Sequence, residues 1–335
     1  KTIPPAMLLE AANESDLARR AALAKHAITS ERRGALESMV KLAESDAAII
    51  TTAQAFDRQH YLFNVANGTL DLTTGRLRAH RREDLITKLS PVIYDPDAQA
   101  PRFMAFLGET FRQDPELTGF MQRASGYSLT GDTSEQCFFL PHGGGSNGKG
   151  AFLRITAAVA GDYYRQTDFS TFLERSSQTV REDVADLAGA RIVAAEEAKG
   201  ANRLNEGLVK SLTGQDEISA RFLYQSRFTF RPTFKLWLAT NDKPRITGTD
   251  YGIWRRVRLI PFTNTIQHPD PTLEPYIREH ELPGVLAWMV AGCLAWQRER
   301  LGVPEAVRQA TDRYRAEEDI LGDFLQECCL LDSAY

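Results

Sequence analysis

Residues 143–150 read GGGSNGKG, five glycines around one lysine, set between the apolar run Cys137–Leu140 and an amphipathic stretch that starts at Ala151. The spacing matches G-x-x-x-x-G-K-[ST] through its seventh position, with Gly143 first, Gly148 sixth and Lys149 seventh. Glycines in such a loop let backbone N–H groups close on phosphate oxygens, and the helix that follows adds a favourable dipole. The candidate nucleotide-binding set is therefore Gly143, Gly144, Gly145, Ser146, Asn147, Gly148, Lys149, Gly150 and Ala151, with Lys149 reaching the phosphates. One position departs from the pattern. Where a hydroxyl normally helps hold Mg²⁺ stands Gly150, which has no side chain to offer.

Working outward, four further apolar runs follow the loop, each separated from the next by helical or irregular stretches. Arg191-Ile-Val-Ala-Ala195 ends in the paired acids Glu196 and Glu197, the arrangement in which one carboxylate holds a metal and another orients water. The run containing Lys235-Leu-Trp-Leu-Ala239 ends at Asn241, a polar group placed to sense a terminal phosphate. Trp254-Arg255-Arg256 precedes the run VRLIPF and offers an arginine finger, and RFTF lies between the acids and Asn241. Strands alternating with helices predict an α/β layer architecture with a largely parallel sheet.

The chain ahead of the loop reads differently. Leu8, Leu9, Leu17, Ala21 and Leu23 recur at helical spacing, and Ser30 is expected to cap a second helix carrying Leu36, Met39, Val40 and Leu42. The pattern breaks near Phe56. From Tyr61, YLFNVANGTLDLTTGRLRAH alternates around Asn67-Gly68 and Thr74-Gly75, which predicts short hairpins. Helices are expected again around Phe103–Phe111, from Pro115 to about Tyr127, and after Phe262. Three regions result: 1–129, a helical and hairpin collar; 130–262, the nucleotide-binding core; and 263–335, a helical segment.

Bulk properties narrow the field. The 335 residues carry 40 Lys+Arg against 44 Asp+Glu, so any nucleic-acid contact must be local rather than a coat of positive charge. Cys137, Cys293, Cys328 and Cys329 lack metal-site spacing and fit a reducing cytoplasm. The near-apolar stretch Leu282–Trp296 contains Pro283 and Gly284 and is too short for a membrane span, so no membrane partner is expected. A start at Lys1 reads as a piece of something larger.

The order of parts, glycine loop, paired acids, strand ending in Asn and then arginine, falls within 107 residues from Lys149 to Arg256. It resembles the superfamily 3 helicases, a branch of the AAA+ ATPases, and in particular the helicase part of phage and plasmid primase-helicases. Longer stretches carry the likeness: NVANGTLDLTTGRLRAH, then RLNEGLVKSLTGQDEISARFLYQSRFTFRPTFKLWLATNDKPRI, WRRVRLIPF and PGVLAWMVAGCLAW. The resemblance implies an ATP- and Mg²⁺-dependent motor. Lys149 would bind phosphate, Glu196 the metal, Glu197 would act as general base and Asn241 as sensor. Arg256, with Arg255 second, would complete a neighbour's site, and Lys210 would reach across a subunit boundary. It further implies a homo-oligomeric ring of six around single-stranded DNA, touched by a hairpin spanning Arg221 to Phe230 with its tip at Tyr224, Gln225 and Ser226. There Tyr224 would stack, Gln225 and Arg227 would meet the strand, and Phe228 and Phe230 would be core. Members often carry a primase domain before this region and a winged helix after it. Two other readings stay open: an initiator or loader that does not translocate, and a nucleotide-binding oligomerisation module that does not hydrolyse, which Gly150 would suit.

Overall fold

The computed structural model describes residues 3–46, 50–175, 181–196, 203–248 and 251–319. The chain divides into two compact units, 1–56 and 57–335, so the stretch 57–129 belongs with the glycine loop rather than with the first helices.

The first unit holds α1 (Ile3–Asn13), α2 (Leu17–Ser30) and α3 (Arg33–Ala43). Asp16 caps α2, its carboxylate accepting from the amides of Ala18 (2.8 Å) and Arg19 (3.2 Å). Ser30, expected as a cap, is instead the last residue of α2. Its hydroxyl donates back to the His26 carbonyl at 2.8 Å, which satisfies it inside the preceding turn. Leu36, Met39 and Val40 share one face of α3, and no residue of that helix is buried.

In the second unit, β1 (Leu62–Val65), β2 (Gly68–Asp71) and β3 (Arg76–Arg78) form the expected antiparallel meander. Gly75 makes the second turn in a left-handed conformation (φ +72°), and Asp71 accepts from the Thr73 amide across it at 2.9 Å. Helices α4 (Pro101–Thr110) and α5 (Pro115–Leu129) lead into β4 (Phe138–His142), the loop, and α6 (Lys149–Ala160). Next come β5 (Tyr164–Gln166), α7 (Glu182–Ala185), β6 (Ile192–Glu196) and α8 (Glu206–Leu212). The chain continues through β7 (Ile218–Ala220), β8 (Phe228–Phe230), β9 (Lys235–Ala239), α9 (Tyr251–Trp254) and β10 (Val257–Pro261). Helices α10 (Leu273–His280), α11 (Leu282–Glu299) and α12 (Glu305–Glu318) close it.

Five strands make one parallel sheet in the order β10-β4-β9-β6-β5. Successive residues alternate between two cores. Phe139, Ile192, Ala194, Trp237 and Ile260 face the side shared with residues of α5, α6 and α11, while Phe138, Leu140, Val193, Leu236, Leu238 and Leu259 face residues of α8, α9 and α12. Burial on both faces explains why these strands read as continuous apolar runs rather than alternating ones. The apolar stretch in α11 is core: a Cβ on Gly126 of α5 would stand 2.0 Å from the Cys293 amide nitrogen, so glycine there permits close helix–helix approach. Among the described residues, no helix is long and apolar enough to cross a membrane.

Two buried cations fasten the start of the sheet to the segments before it. The Arg191 guanidinium donates to the carbonyls of Leu129 (2.7 Å), Gln59 (3.0 Å) and Leu62 (2.6 Å) and lies over the Tyr163 ring. Lys235 donates to the carbonyls of Thr130 and Asp132, and burial, reinforced by Arg191, holds its amine well below the ordinary lysine range.

The hairpin exists, with shifted boundaries. Its strands are Ile218–Ala220 and Phe228–Phe230, so Arg221 and Phe222 belong to the connecting loop instead of a strand. Phe228 and Phe230 are half-buried; Phe230 packs against the core shared with α8, α9 and α12, as expected, while Phe228 packs on Phe222 and Phe230 at the base of the tip.

Candidate functional site

The sheet order reverses beside β4. The chain leaves β4 for the far edge, returns through β6 and β9, and finishes at β10 on the opposite flank. Crevices at the carboxyl ends of strands beside such a switch point are where open α/β sheets bind ligands. Here a cavity of about 800 Å³ opens at that place.

The loop after His142 is shaped by left-handed backbone at Gly145 (φ +97°), Ser146 (φ +47°) and Gly148 (φ +85°). Gly148 also abuts the Phe106 ring, 2.8 Å from where a Cβ would stand. The segment after β10 braces the loop. Buried Asn147 donates from Nδ2 to the Phe262 carbonyl at 3.0 Å, and the Ile266 amide donates to the Ser146 carbonyl at 2.8 Å. Gly145 to Ala151 line the cavity; Gly143 and Gly144 are not in its lining. Gly143 instead lies against the Phe262 carbonyl.

Lys149 is buried, and its Nζ donates to the Gly143 carbonyl (2.5 Å), Asn147 Oδ1 (3.1 Å) and Asn241 Oδ1 (3.1 Å). Burial holds the amine below the ordinary lysine value, and the Glu196 charge acts against that shift. Glu196, at the exposed end of β6, is level with Ala239 of β9, so it and Asn241 leave neighbouring strands at one edge of the cavity. Glu197 lies outside the described residues.

The far wall comes from outside the region expected to bind nucleotide. Arg102, Phe106 and Glu109 of α4 line it together with Ile266, His268, Asp270 and Glu274. No motif announces these residues. Arg154 also lines the cavity and could have been found by counting one helical turn on from Gly150.

Arg255 and Arg256 stand at the opposite end of β10, where Val257 pairs with Phe138 at the start of β4. Five strand residues at about 3.3 Å each put them roughly 16 Å from the loop. Arg255 is exposed, with Nη2 on Gln136 Oε1 at 2.9 Å. Arg256 is half-buried: Nη1 donates to the carbonyls of Gln136 and Thr213, both at 3.3 Å, and burial beside Arg255 lowers its pKa. Lys210 sits in the last turn of α8 and does not line the cavity. At the hairpin tip Tyr224 is 98% exposed in a left-handed conformation (φ +62°), flanked by exposed Gln225 and Arg227. None of the three lines the cavity.

Comparison with known proteins finds two family models, "D5 N terminal like" over residues 5–112 and a family of unknown function (DUF5906) over residues 142–256. Among curated proteins the chain is similar to "Putative helicase L207/L206" of Acanthamoeba polyphaga mimivirus, 28% identical over 80% of this chain and 30% of that protein. It is also similar to "Putative helicase 022R" of Frog virus 3, 28% identical over 68% of this chain and 25% of the relative. "Putative primase C962R" of African swine fever virus is 27% identical over 61% of this chain and 22% of the relative. The chain thus spans less than a third of the length of each. Among solved structures, the apo NrS-1 C-terminal region (305–718) shares the fold with a TM-score of 0.52 at 13% identity, over 70% of this chain and 55% of that one.

Proposed function

We propose that this chain, which belongs to the family of phage and viral primase-helicases, binds ATP with Mg²⁺ in the cavity beside β4 and uses its hydrolysis to move single-stranded DNA through a ring of subunits. The observation that carries this reading is the convergence on Lys149. Groups from three separate segments, Gly143 and Asn147 of the loop, Asn241 after β9 and Glu196 at the end of β6, bond it or act on its charge at one cavity edge.

The residues present fit the ligand. A cavity of about 800 Å³ lies within the range of small-molecule sites, roughly 300–1,000 Å³. Among the described residues no group of three or more His, Cys, Asp or Glu could hold a metal alone. That suits Mg²⁺ at a nucleotide site, which takes one or two carboxylates and completes its shell with phosphate and water; Glu196 is the carboxylate on offer. Bound Mg-ATP would supply the phosphoanhydride whose cleavage drives the motor. Lys149 would exchange the Gly143 carbonyl for phosphate, Asn241 would follow the terminal phosphate, and Glu197 would hold the attacking water.

The roles of the two arginines exchange in this reading. Arg255, exposed and too far from its own loop, is the group to complete a neighbour's site; Arg256, tied to two carbonyls, holds that end of β10 in place. The apolar face of α3 offers a surface for subunit contact, and Tyr224 with Arg227 would hold one strand by stacking and phosphate contact.

Steady-state ATP hydrolysis with and without single-stranded DNA tests this, with Lys149→Ala as the blank. Turnover that rises with DNA and disappears in the variant is expected. ATP binding without turnover would sink the motor and favour a non-hydrolysing oligomerisation module.

A further inference from the structure

Arg154 enters the nucleotide cavity one helical turn beyond the glycine that stands where a metal-holding hydroxyl is usual. Its guanidinium is divided between two neighbours. Nε and Nη2 both bond one oxygen of Glu274, Oε2, at 2.8 Å, while Nη1 lies 2.9 Å from the point a Cβ on residue 150 would occupy. The same point is 3.3 Å from Glu196 Oε2. The free edge of the guanidinium therefore occupies the corner between Gly150 and the candidate metal-holding carboxylate. The side chain is 55% exposed, so it has room to turn; Glu274, 19% exposed, sits on α10.

From this geometry we infer that Arg154 is a phosphate-binding residue, held by Glu274 and released onto the phosphates when nucleotide enters; the inference rests on the nucleotide reading above. A triphosphate brings several negative charges into a cavity where Lys149 is the loop's only cation. The other arginine in the lining, Arg102, is bonded to Asp270 at 2.5 Å and lies over the Tyr276 ring at 4.4 Å, on the far wall. Among the described residues Arg154 alone combines a free N–H edge with a place beside both the loop helix and Glu196. Its planar fork can bond phosphate through two N–H groups at once. Glycine at 150 leaves that edge its space, so the missing hydroxyl and the arginine belong to one arrangement. Glu274 keeps a second partner when Arg154 leaves, since Arg278 Nη1 stands 3.7 Å from its other oxygen.

Titration of the fluorescent nucleotide mant-ATP, in Mg²⁺, into the whole chain and four variants tests this without relying on turnover. Arg154→Ala should weaken binding about tenfold to hundredfold, the worth of a charged hydrogen-bonding group. Glu274→Gln should tighten it, because the guanidinium is no longer held back, and the gain should vanish in the Arg154→Ala/Glu274→Gln double variant. If Arg154 merely ties α6 to α10, both single variants weaken binding, and the inference falls. It falls equally if Arg154→Ala binds as the parent does while Lys149→Ala does not, or if the Glu274→Gln gain persists in the double variant. Lys149→Ala binding as tightly as the parent would instead overturn the nucleotide site itself.

Discussion

Replacing Gly143 and Gly144 singly with alanine separates the loop's two uses of glycine. At 143 a Cβ would stand 2.1 Å from the Phe262 carbonyl oxygen and 2.4 Å from Asn147 Nδ2. The first of these is backbone at the end of β10 and cannot swing away, so either the loop or the strand must shift. Overpacking of this kind costs about 1–3 kcal/mol. Loss of the Asn147-to-Phe262 hydrogen bond adds about 1 kcal/mol, for a total of roughly 2–4 kcal/mol. At 144 nothing lies within 4 Å, and a surface change there should stay within about 0.5 kcal/mol. At about 2–3 °C per kcal/mol for a large chain, Gly143→Ala should lower Tm by roughly 4–12 °C and Gly144→Ala by about 1.5 °C or less. Thermal unfolding followed by circular dichroism reads the first effect, and mant-ATP titration shows whether the loop still closes on phosphate. Equal losses in the two variants, or none at 143, would refute the claim that the first glycine is there for close approach to β10.

Three further outcomes are expected. On the proposed reading nucleotide binding requires a charged Lys149, whose pKa is lowered by burial, so affinity should be full below that pKa and fall as pH rises through it, earlier than for an ordinary lysine near about 10.4. Lys149→Arg should flatten the profile, and a decline beginning only at the ordinary value would count against the desolvation argument. Mixing Arg255→Ala subunits with Lys149→Ala subunits should restore turnover that neither shows alone; absence of recovery, with both variants assembled, would rule Arg255 out as a group acting across subunits. Tyr224→Ala/Arg227→Ala should weaken single-stranded DNA binding about tenfold or more and leave basal hydrolysis unchanged, and undiminished DNA stimulation would favour an initiator or loader that does not use the tip.

The sheet was legible where burial left no choice. β4, β6, β9 and β10 pack on both faces, and their residues read as apolar runs, broken in β10 by Arg258, in a chain otherwise rich in charge. β5 left no such trace, because it has only three residues, Tyr164–Gln166, and these are half-buried or exposed. Ser30 is chemically able to start a helix or to bond backward within one, and residue type does not decide between them. The loop and its partners on β6 and β9 were readable because each ends a strand. The far wall was not: Arg102, Glu109, His268 and Glu274 reach the cavity only because α4, the segment before α10 and the first turn of α10 pack beside the loop.

The position of β10 matters most for how one site would inform the next. The segment that follows it braces the glycine loop through the Phe262 carbonyl, held by Asn147, and the Ile266 amide bonded to Ser146. The first residue of β10 follows directly on Arg255 and Arg256. Between these ends Val257, Leu259 and Ile260 are buried, and the strand pairs residue for residue with β4. A segment packed this tightly shifts as a unit rather than bending, because close-packed interiors transmit strain. On the proposed reading, a displacement of the loop by phosphate would be carried through Phe262 along about 16 Å of strand to the arginine offered to the neighbour. Asn147 is then the coupling residue as well as a loop brace. Asn147→Ala should reduce the dependence of a neighbouring subunit's turnover on nucleotide in this one more than it reduces nucleotide affinity. That dependence is measurable in rings mixed with Lys149→Ala subunits, and an equal loss of both quantities would confine Asn147 to its local role.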